Sequence, residues 1–503
     1  MEYLEMKGVN KCFDSVVANQ DVELSVKKGH IHALLGENGA GKSTLMNILY
    51  GIYTQDKGDI FLNGEPIDIK SAKDAIEKGI GMVHQHFMLI PTLSVIENVM
   101  LGYKEISRFK LNLDEAAKRF TELAEKFDMD ICPWETVENL SIGQQQRLEI
   151  LKALFRDVQL LILDEPTAVL TTQEADKLFE FLRKLTDEGL TIIFITHKLA
   201  EVMDVCDCCT VLRNGCVVSA LDVCHIKSKE QLASLMVGKD VDLIVHKTAA
   251  TPGETILAVH QLGYTTEQHV ERLSEVEFEV SSGEILGVCG VDGNGQSELV
   301  RCIAGLLKPT TGQVVIKGQD VTGKPPKSIL KHGVSHIPED RLKMAMIKEM
   351  TVNENLILMA YDQPAYGRHL FLNKKWIAKH SLEICEMYNI KTPGLDIEAS
   401  KLSGGNQQKL VVGRELDRSP DLLIAVHPAR GLDIGATKYI QSRLVEERDR
   451  GAAVFLVSTD LDEILELSDR IIVMYNGKIM ETLPRHKATR EYVGLLMAGI
   501  RLN

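Results

Sequence analysis

The stretch Gly36-Glu37-Asn38-Gly39-Ala40-Gly41-Lys42-Ser43-Thr44 lies between a mostly apolar run, His30 to Leu35, and a segment with helical spacing, Lys42 to Tyr50. Glycines at this spacing let backbone N–H groups close around phosphate oxygens, and the N-terminus of the following helix adds positive potential. The Lys42 ammonium can reach the far phosphates of a polyphosphate, and the Ser43 hydroxyl suits Mg²⁺. Gly51 stands where the helix C-terminus wants a left-handed residue. Taken alone, the motif also fits a chance glycine turn, and the rest of the chain decides between the two.

Downstream, Leu160-Leu-Ile-Leu163 and Thr191 to Ile195 are short continuous apolar runs, as expected of buried parallel strands. The first ends in Asp164-Glu165-Pro166 and the second leads to His197. Asp164 suits Mg²⁺ coordination, and Glu165 suits the general base that polarises an attacking water. Gln85 follows another apolar stretch and can meet the metal or the water; His197 can hydrogen-bond a γ-phosphate. Paired acids after a strand are often a solvated turn, and a lone Gln or His is usually a satisfied loop residue. Their order behind a P-loop gives them weight together. Between loop and acids, Ala116, Phe120, Leu123 and Phe127 recur at helical spacing, with Asp114 as the expected N-cap of a helical subdomain.

The chain repeats itself. The loop recurs as Gly290-Val291-Asp292-Gly293-Asn294-Gly295-Gln296-Ser297, with Gly305 in the place of Gly51. Leu140-Ser141-Ile142-Gly143-Gln144 recurs as Leu402-Ser403-Gly404-Gly405-Asn406, and the second copy carries about eight extra residues between the two motifs, a loop-sized difference. The expected organisation is α/β: two tandem P-loop NTPase domains, 1–240 and 255–503, each with a mixed sheet core and a helical subdomain, on a linker 241–254 punctuated by Pro252 and Gly253.

Composition agrees. The 503 residues are 45% hydrophobic and 25% charged, ordinary for globular protein and too many for one core. The net charge of −14 argues against a nucleic-acid partner. The apolar runs are too short to span a bilayer, and Met1-Glu2-Tyr3-Leu4-Glu5 does not begin a secretory signal. Cys206, Cys208, Cys209, Cys216 and Cys224-His225 lack zinc-site spacing and are read as reduced structural thiols.

The order of P-loop, Gln85, Leu140-Ser141-Ile142-Gly143-Gln144, Asp164-Glu165 and His197 resembles an ATP-binding-cassette domain, with Ile142 where that family's signature usually has glycine. Two such copies over the whole chain resemble the ATP-binding subunits of bacterial sugar and nucleoside importers. The resemblance implies ATP and Mg²⁺ as cofactors, with Ser43, Gln85 and Asp164 holding the metal, and Phe13 stacking on adenine, a place Tyr264 would take in the second half. It also implies separate transmembrane permease subunits, of one or two kinds, and an extracytoplasmic solute-binding protein. The ATPase itself is then peripheral on the cytoplasmic face of the membrane.

Compared position by position, the second copy departs at each chemical point. Gln296 replaces the lysine, Glu339 stands against Gln85, Val426 against Asp164, His427 against Glu165 and Thr459 against His197. Its signature, Ser403, Gly405 and Asn406, is nearly intact. The family pairs domains head to tail, so the complete P-loop is expected to face Ser403, Gly405 and Asn406. The degenerate loop (Gly293, Asn294, Gly295, Gln296, Ser297) is expected to face Ser141, Gly143 and Gln144. One site hydrolyses and the other holds or regulates. Met82 to Leu89 and Ala425 to Asp433 look more like nucleoside importers than sugar importers, whose second domain more often keeps the acidic pair. A sugar importer, or a tandem ATPase acting on ribosomes or nucleic acid, is the alternative; the short linker and decayed site speak against the latter.

Overall fold

The computed structural model describes residues 2–501 apart from 14–15, 38, 85–86, 103–111, 128, 130, 168–169, 171, 239–244, 292 and 369–370. The chain divides into two compact units, Met1–Asp242 and Leu243–Asn503.

In the first unit the apolar runs form a six-stranded sheet in the order Cys216–Asp222, Cys208–Arg213, Ile31–Leu35, Thr191–Thr196, Leu160–Asp164, Ile80–Val83. All neighbours are parallel except the Cys216–Asp222 edge, which is antiparallel. The central strands are buried along their length, which explains why they read as unbroken apolar runs rather than alternating ones. A second, antiparallel sheet runs Val16–Lys27, Glu2–Phe13, Lys57–Leu62, Glu65–Ile67. Its alternating residues Leu4, Met6, Val22 and Leu24 close one core with Leu34, Leu45, Ile162 and Ile193 from the parallel sheet and the P-loop helix.

The second unit repeats this in order: Val334–Ile337, Leu422–Val426, Ala453–Val457, Ile285–Cys289, Arg470–Tyr475, Lys478–Pro484, beside an antiparallel sheet built on Thr255–Thr265 and Glu271–Ser281. Its longer connection between loop and signature contains a π-helical turn, Arg341–Ala345, and a small hairpin, Gly367–Arg368 with Phe371–Leu372.

Each unit also has a helical part: Val95–Met100, Leu113–Lys126 and Ile142–Leu154 in the first, Val352–Ile357, Lys374–Met387 and Gly404–Asp417 in the second. Leu113–Lys126 is capped by Asn112, whose side chain accepts from the Glu115 N–H; Asp114, the expected cap, lies inside the first turn. Helical backbone begins one residue before Asp114, and the cap must sit outside it. The stretch expected as a linker is not a bare tether where it is described. Val245 is buried in the second unit's core, Lys247 Nζ donates to the Leu467 and Ser468 carbonyls at 2.9 and 2.7 Å, and the buried Arg448 donates to the Thr248 carbonyl at 3.1 Å. Cys206, Cys208 and Cys209 are buried free thiols, and burial pushes the Cys208 thiol up to about 12. Among the described residues no helix is long and apolar enough to cross a membrane.

Candidate functional site

Three neighbouring strands of the first sheet deliver the chemistry to one edge. Leu35 pairs with Thr196, and Asp164 with Ile195, so the P-loop, the acidic pair and His197 all leave the carboxyl ends of adjacent parallel strands. That edge is where open α/β sheets bind ligands. Gln85 and Asn38 lie outside the described residues. Gly39 (φ 83°) and Gly41 (φ 99°) take the left-handed backbone the loop requires. At Gly41 a Cβ would also meet the Ala18 carbonyl at 2.4 Å.

Lys42 is buried, and its Nζ donates to the Gly36 and Glu37 carbonyls at 2.7 and 3.0 Å, holding the loop in the curved form that accepts phosphate. The Glu37 carbonyl also accepts from the Ala40 N–H at 3.1 Å. Burial lowers the Lys42 pKa against the opposing charges of Glu165, Asp164 and Glu37. Ser43 and Thr44 begin the helix Lys42–Leu49, and the Ser43 hydroxyl hydrogen-bonds Asp164. Burial, then the charge of Glu165, raises the Asp164 carboxyl to about 6. Hydroxyl and carboxylate side by side at the mouth of the loop are hard oxygen donors of the kind Mg²⁺ takes alongside phosphates, so the residues fit that ion.

Glu165 sits at φ 47°, an uncommon backbone for a side chain of its size, fixed by its N–H donating to the Ile195 carbonyl at 3.0 Å. Its carboxylate lies 2.7 Å from His197 Nδ1. Burial raises its pKa, but the His197 hydrogen bond and charge, with Lys42 and Lys198, outweigh burial and hold it below the usual range. Glu165 is therefore ionised at neutral pH, the form a general base needs.

A layer behind these groups gave no sequence signal. The buried Glu201 carboxylate accepts from the Thr167 hydroxyl, just past the acidic pair, and from the Thr196 hydroxyl at 2.7 Å, just before His197. Lys198 Nζ lies 3.2 Å from Glu201 and 3.3 Å from the Thr167 carbonyl. Glu201 thus ties together the two strand ends that carry Glu165 and His197. Glu201→Gln is expected to lower kcat roughly tenfold while KM for ATP stays within about twofold, because the loop is untouched and only the alignment of base and histidine slackens. Steady-state kinetics check this; a rise in KM with kcat intact would assign Glu201 to binding instead.

Phe13, at the exposed end of its strand, meets Tyr53 edge-on at 5.1 Å between ring centres, with Lys11 Nζ 5.5 Å above Phe13. An exposed aromatic pair of this kind can take a purine face, and Tyr53 had not stood out in the sequence. Tyr264, by contrast, is half-buried against its own unit's core.

Ser141 caps the helix Ile142–Leu154 in a capping box with Gln144, and a Cβ on Gly143 would meet the Glu174 carboxylate at 2.7 Å. Ser403 begins Gly404–Asp417 without capping it; its oxygen accepts from the Asn406 amide at 2.9 Å, while the Asn406 carbonyl oxygen accepts from the Lys391 N–H at 2.8 Å. Around Gly405 nothing comes nearer to a Cβ than 3.7 Å, so that end of the second signature is open.

In the second unit Gly293 (φ 88°) and Gly295 (φ 98°) repeat the loop backbone, and the Asn294 carboxamide oxygen accepts from the Asn476 N–H at 2.8 Å. Gln296 is buried and donates to the Val291 carbonyl at 3.2 Å. His427 keeps the Glu165 backbone, at φ 44° with its N–H on the Val457 carbonyl at 2.8 Å, and its Nδ1 accepts from the Thr459 N–H at 3.4 Å. The frame of the site survives in both units, and its acidic pair survives in one.

The ABC transporter family model matches residues 19–168 and 273–429. The chain is 43% identical to the nucleoside import ATP-binding protein NupA of Lactococcus lactis subsp. cremoris, covering 99% of each chain. It is 44% identical to the guanosine import ATP-binding protein NupO of Bacillus subtilis, covering 99% of this chain and 98% of that one. It is also 44% identical to the glucose import ATP-binding protein TsgD13 of Haloferax volcanii, covering 99% and 96%. With its loop, acids and signature repeated in two units and relatives of this kind matched end to end, the chain belongs to the ABC transporter family, as a tandem ATP-binding subunit.

Proposed function

We propose that this ATPase drives nucleoside import through a separate transmembrane permease, hydrolysing ATP in its first half and holding nucleotide in its second. The observation that carries the division of labour is the convergence of Lys42, Ser43, Asp164, Glu165 and His197 on one sheet edge, against Gln296, Val426 and His427 at the matching positions.

In this reading Phe13 and Tyr53 receive the adenine, the loop amides and Lys42 hold the phosphates, and Ser43, Asp164 and Gln85 hold Mg²⁺. The ion supplies neutralisation of the charge on the β- and γ-phosphates. Glu165 orients a water and takes its proton as the oxygen attacks the γ-phosphorus, and His197 fixes Glu165 and contacts the γ-phosphate. Ser403, Gly405 and Asn406 complete that site in a head-to-tail pair, and Ser141, Gly143 and Gln144 complete the other. Closure on ATP and opening after hydrolysis bias the permease between two states, and the nucleotide's preference for the closed state sets how far the equilibrium moves. The subunit works on the cytoplasmic face of the membrane, and an extracytoplasmic protein delivers solute to the permease.

Nucleosides are favoured over sugars by the relatives named for nucleoside and guanosine import and by the loss of the acidic pair from the second half. The glucose import relative keeps sugar as the second reading. Uptake of labelled purine and pyrimidine nucleosides, ribose and galactose, in cells with the intact chain or Glu165→Gln, separates them. Loss of nucleoside uptake alone is expected. Loss of sugar uptake alone would replace the cargo, and no change in any solute would remove the transport reading.

A further inference from the structure

In the first unit the P-loop hydroxyl, Ser43, hydrogen-bonds a carboxylate, Asp164, from the end of the neighbouring acidic strand. Val426 occupies that place in the second unit, yet the P-loop hydroxyl again has a carboxylate: Ser297 Oγ donates to Glu339 Oε2 at 3.1 Å. Glu339 follows the edge strand Val334–Ile337, where the first unit has Gln85. The acid has changed strands while the hydroxyl–carboxylate pair has been kept.

The pair opens into a cavity of about 460 Å³ lined by Gly293, Ser297, Glu339, Asp340, Arg341 and Arg430. Asp340 is occupied as a cap, its oxygen accepting from the Leu342 and Lys343 N–H groups at 3.0 Å, which begins the π-helical turn and turns Arg341 toward the cavity. Glu339 is thus the acid left for a ligand. The two guanidiniums replace the positive charge lost with Gln296, in a geometry suited to phosphate oxygens. A hydroxyl, a carboxylate, two arginines and a P-loop backbone make a site for a polyphosphate and a divalent cation together. No acid stands at position 426 to activate water.

We propose that the second unit binds a nucleoside triphosphate with a divalent cation, Glu339 replacing Asp164 as the carboxylate ligand and Arg430 replacing the P-loop lysine. This rests on the reading of the second half as a holding site and supplies its chemistry. Glu339 then makes holding metal-dependent, while the absent acidic pair keeps it from turning over.

The test is Mn²⁺ bound per chain, read by electron paramagnetic resonance with saturating ATP, in the full-length protein carrying Glu165→Gln so that nucleotide persists. Adding Glu339→Gln is expected to remove one Mn²⁺ per chain, whether Asp164 is intact or replaced by Ala, and Glu339→Asp to restore it. In the Asp164→Ala background, ATP affinity is expected to fall about tenfold when Mn²⁺ is replaced by EDTA, and Glu339→Gln to abolish that dependence. Arg430→Ala is expected to weaken ATP about tenfold with or without metal. Unchanged Mn²⁺ stoichiometry on Glu339→Gln, with ATP still bound to the second unit, overturns the metal site and leaves the holding role. Absence of any ATP from the second unit overturns both. Equal ligand-free melting temperatures of the Gln and Asp variants establish that both are folded.

Discussion

Glu165→Gln is expected to reduce ATP turnover by at least about a hundredfold, the range for removing a positioned general base, while His427→Gln leaves it within about twofold. The contrast is sharp because the two residues share a backbone. Each has left-handed φ, 47° and 44°, and each N–H bonds the neighbouring strand, to the Ile195 and Val457 carbonyls respectively. Glutamine fits either place without altering that frame, so a difference between the variants reports chemistry alone. At 165 the substitution removes a carboxylate held ionised by His197, 2.7 Å away. At 427 it replaces an imidazole whose Nδ1 already accepts from the Thr459 N–H and whose neighbour, Val426, offers nothing to a metal. ATP affinity is expected to hold in both variants. Phosphate release under single-turnover conditions measures the step directly, and comparable losses in the two variants would end the assignment of hydrolysis to the first half.

The residues legible in the sequence are those whose roles are local. The P-loop reads from glycine spacing, and the strands read from unbroken apolar runs because both faces of the parallel sheet are covered. The degeneracy of the second half follows from repeat positions alone. What was not legible depends on partners far along the chain. Glu201 looks like any acid on a short helix until Thr167 and Thr196 are brought to it. Tyr53 acquires meaning only beside Phe13. Losing Asp164's counterpart predicts a poor metal site in the second half, and only the contact of Ser297 with Glu339 shows an acid arriving from another strand. Asp114 was mistaken for a cap because Asn112 is an equally good one two residues earlier, and the choice is made where helical backbone begins.

Lys42→Gln is expected to leave the fold's melting temperature nearly unchanged, yet lower ATP turnover by about a hundredfold or more, as for loss of a donor to transition-state charge. The second unit shows why these effects separate. Lysine at 42 bonds the Gly36 and Glu37 carbonyls, and glutamine at 296 bonds the Val291 carbonyl at 3.2 Å, the repeat position of Glu37. A buried amide therefore does the loop-shaping part of lysine's work, and the left-handed glycines on either side keep their conformation. What glutamine cannot do is leave those carbonyls and bring a positive charge to the γ-phosphate, where charge-assisted hydrogen bonds contribute roughly 1.5–3 kcal/mol each. Lys42→Ala removes both functions, so it is expected to lose stability as well as turnover. The reciprocal change, Gln296→Lys, is expected to strengthen ATP binding to the second unit without conferring hydrolysis, because Val426 and His427 still lack the acids. Melting curves, equilibrium ATP binding and turnover on the three variants test the separation. Equal loss of stability in the Gln and Ala variants at 42 would show that the lysine's charge, rather than its hydrogen bonds, shapes the loop.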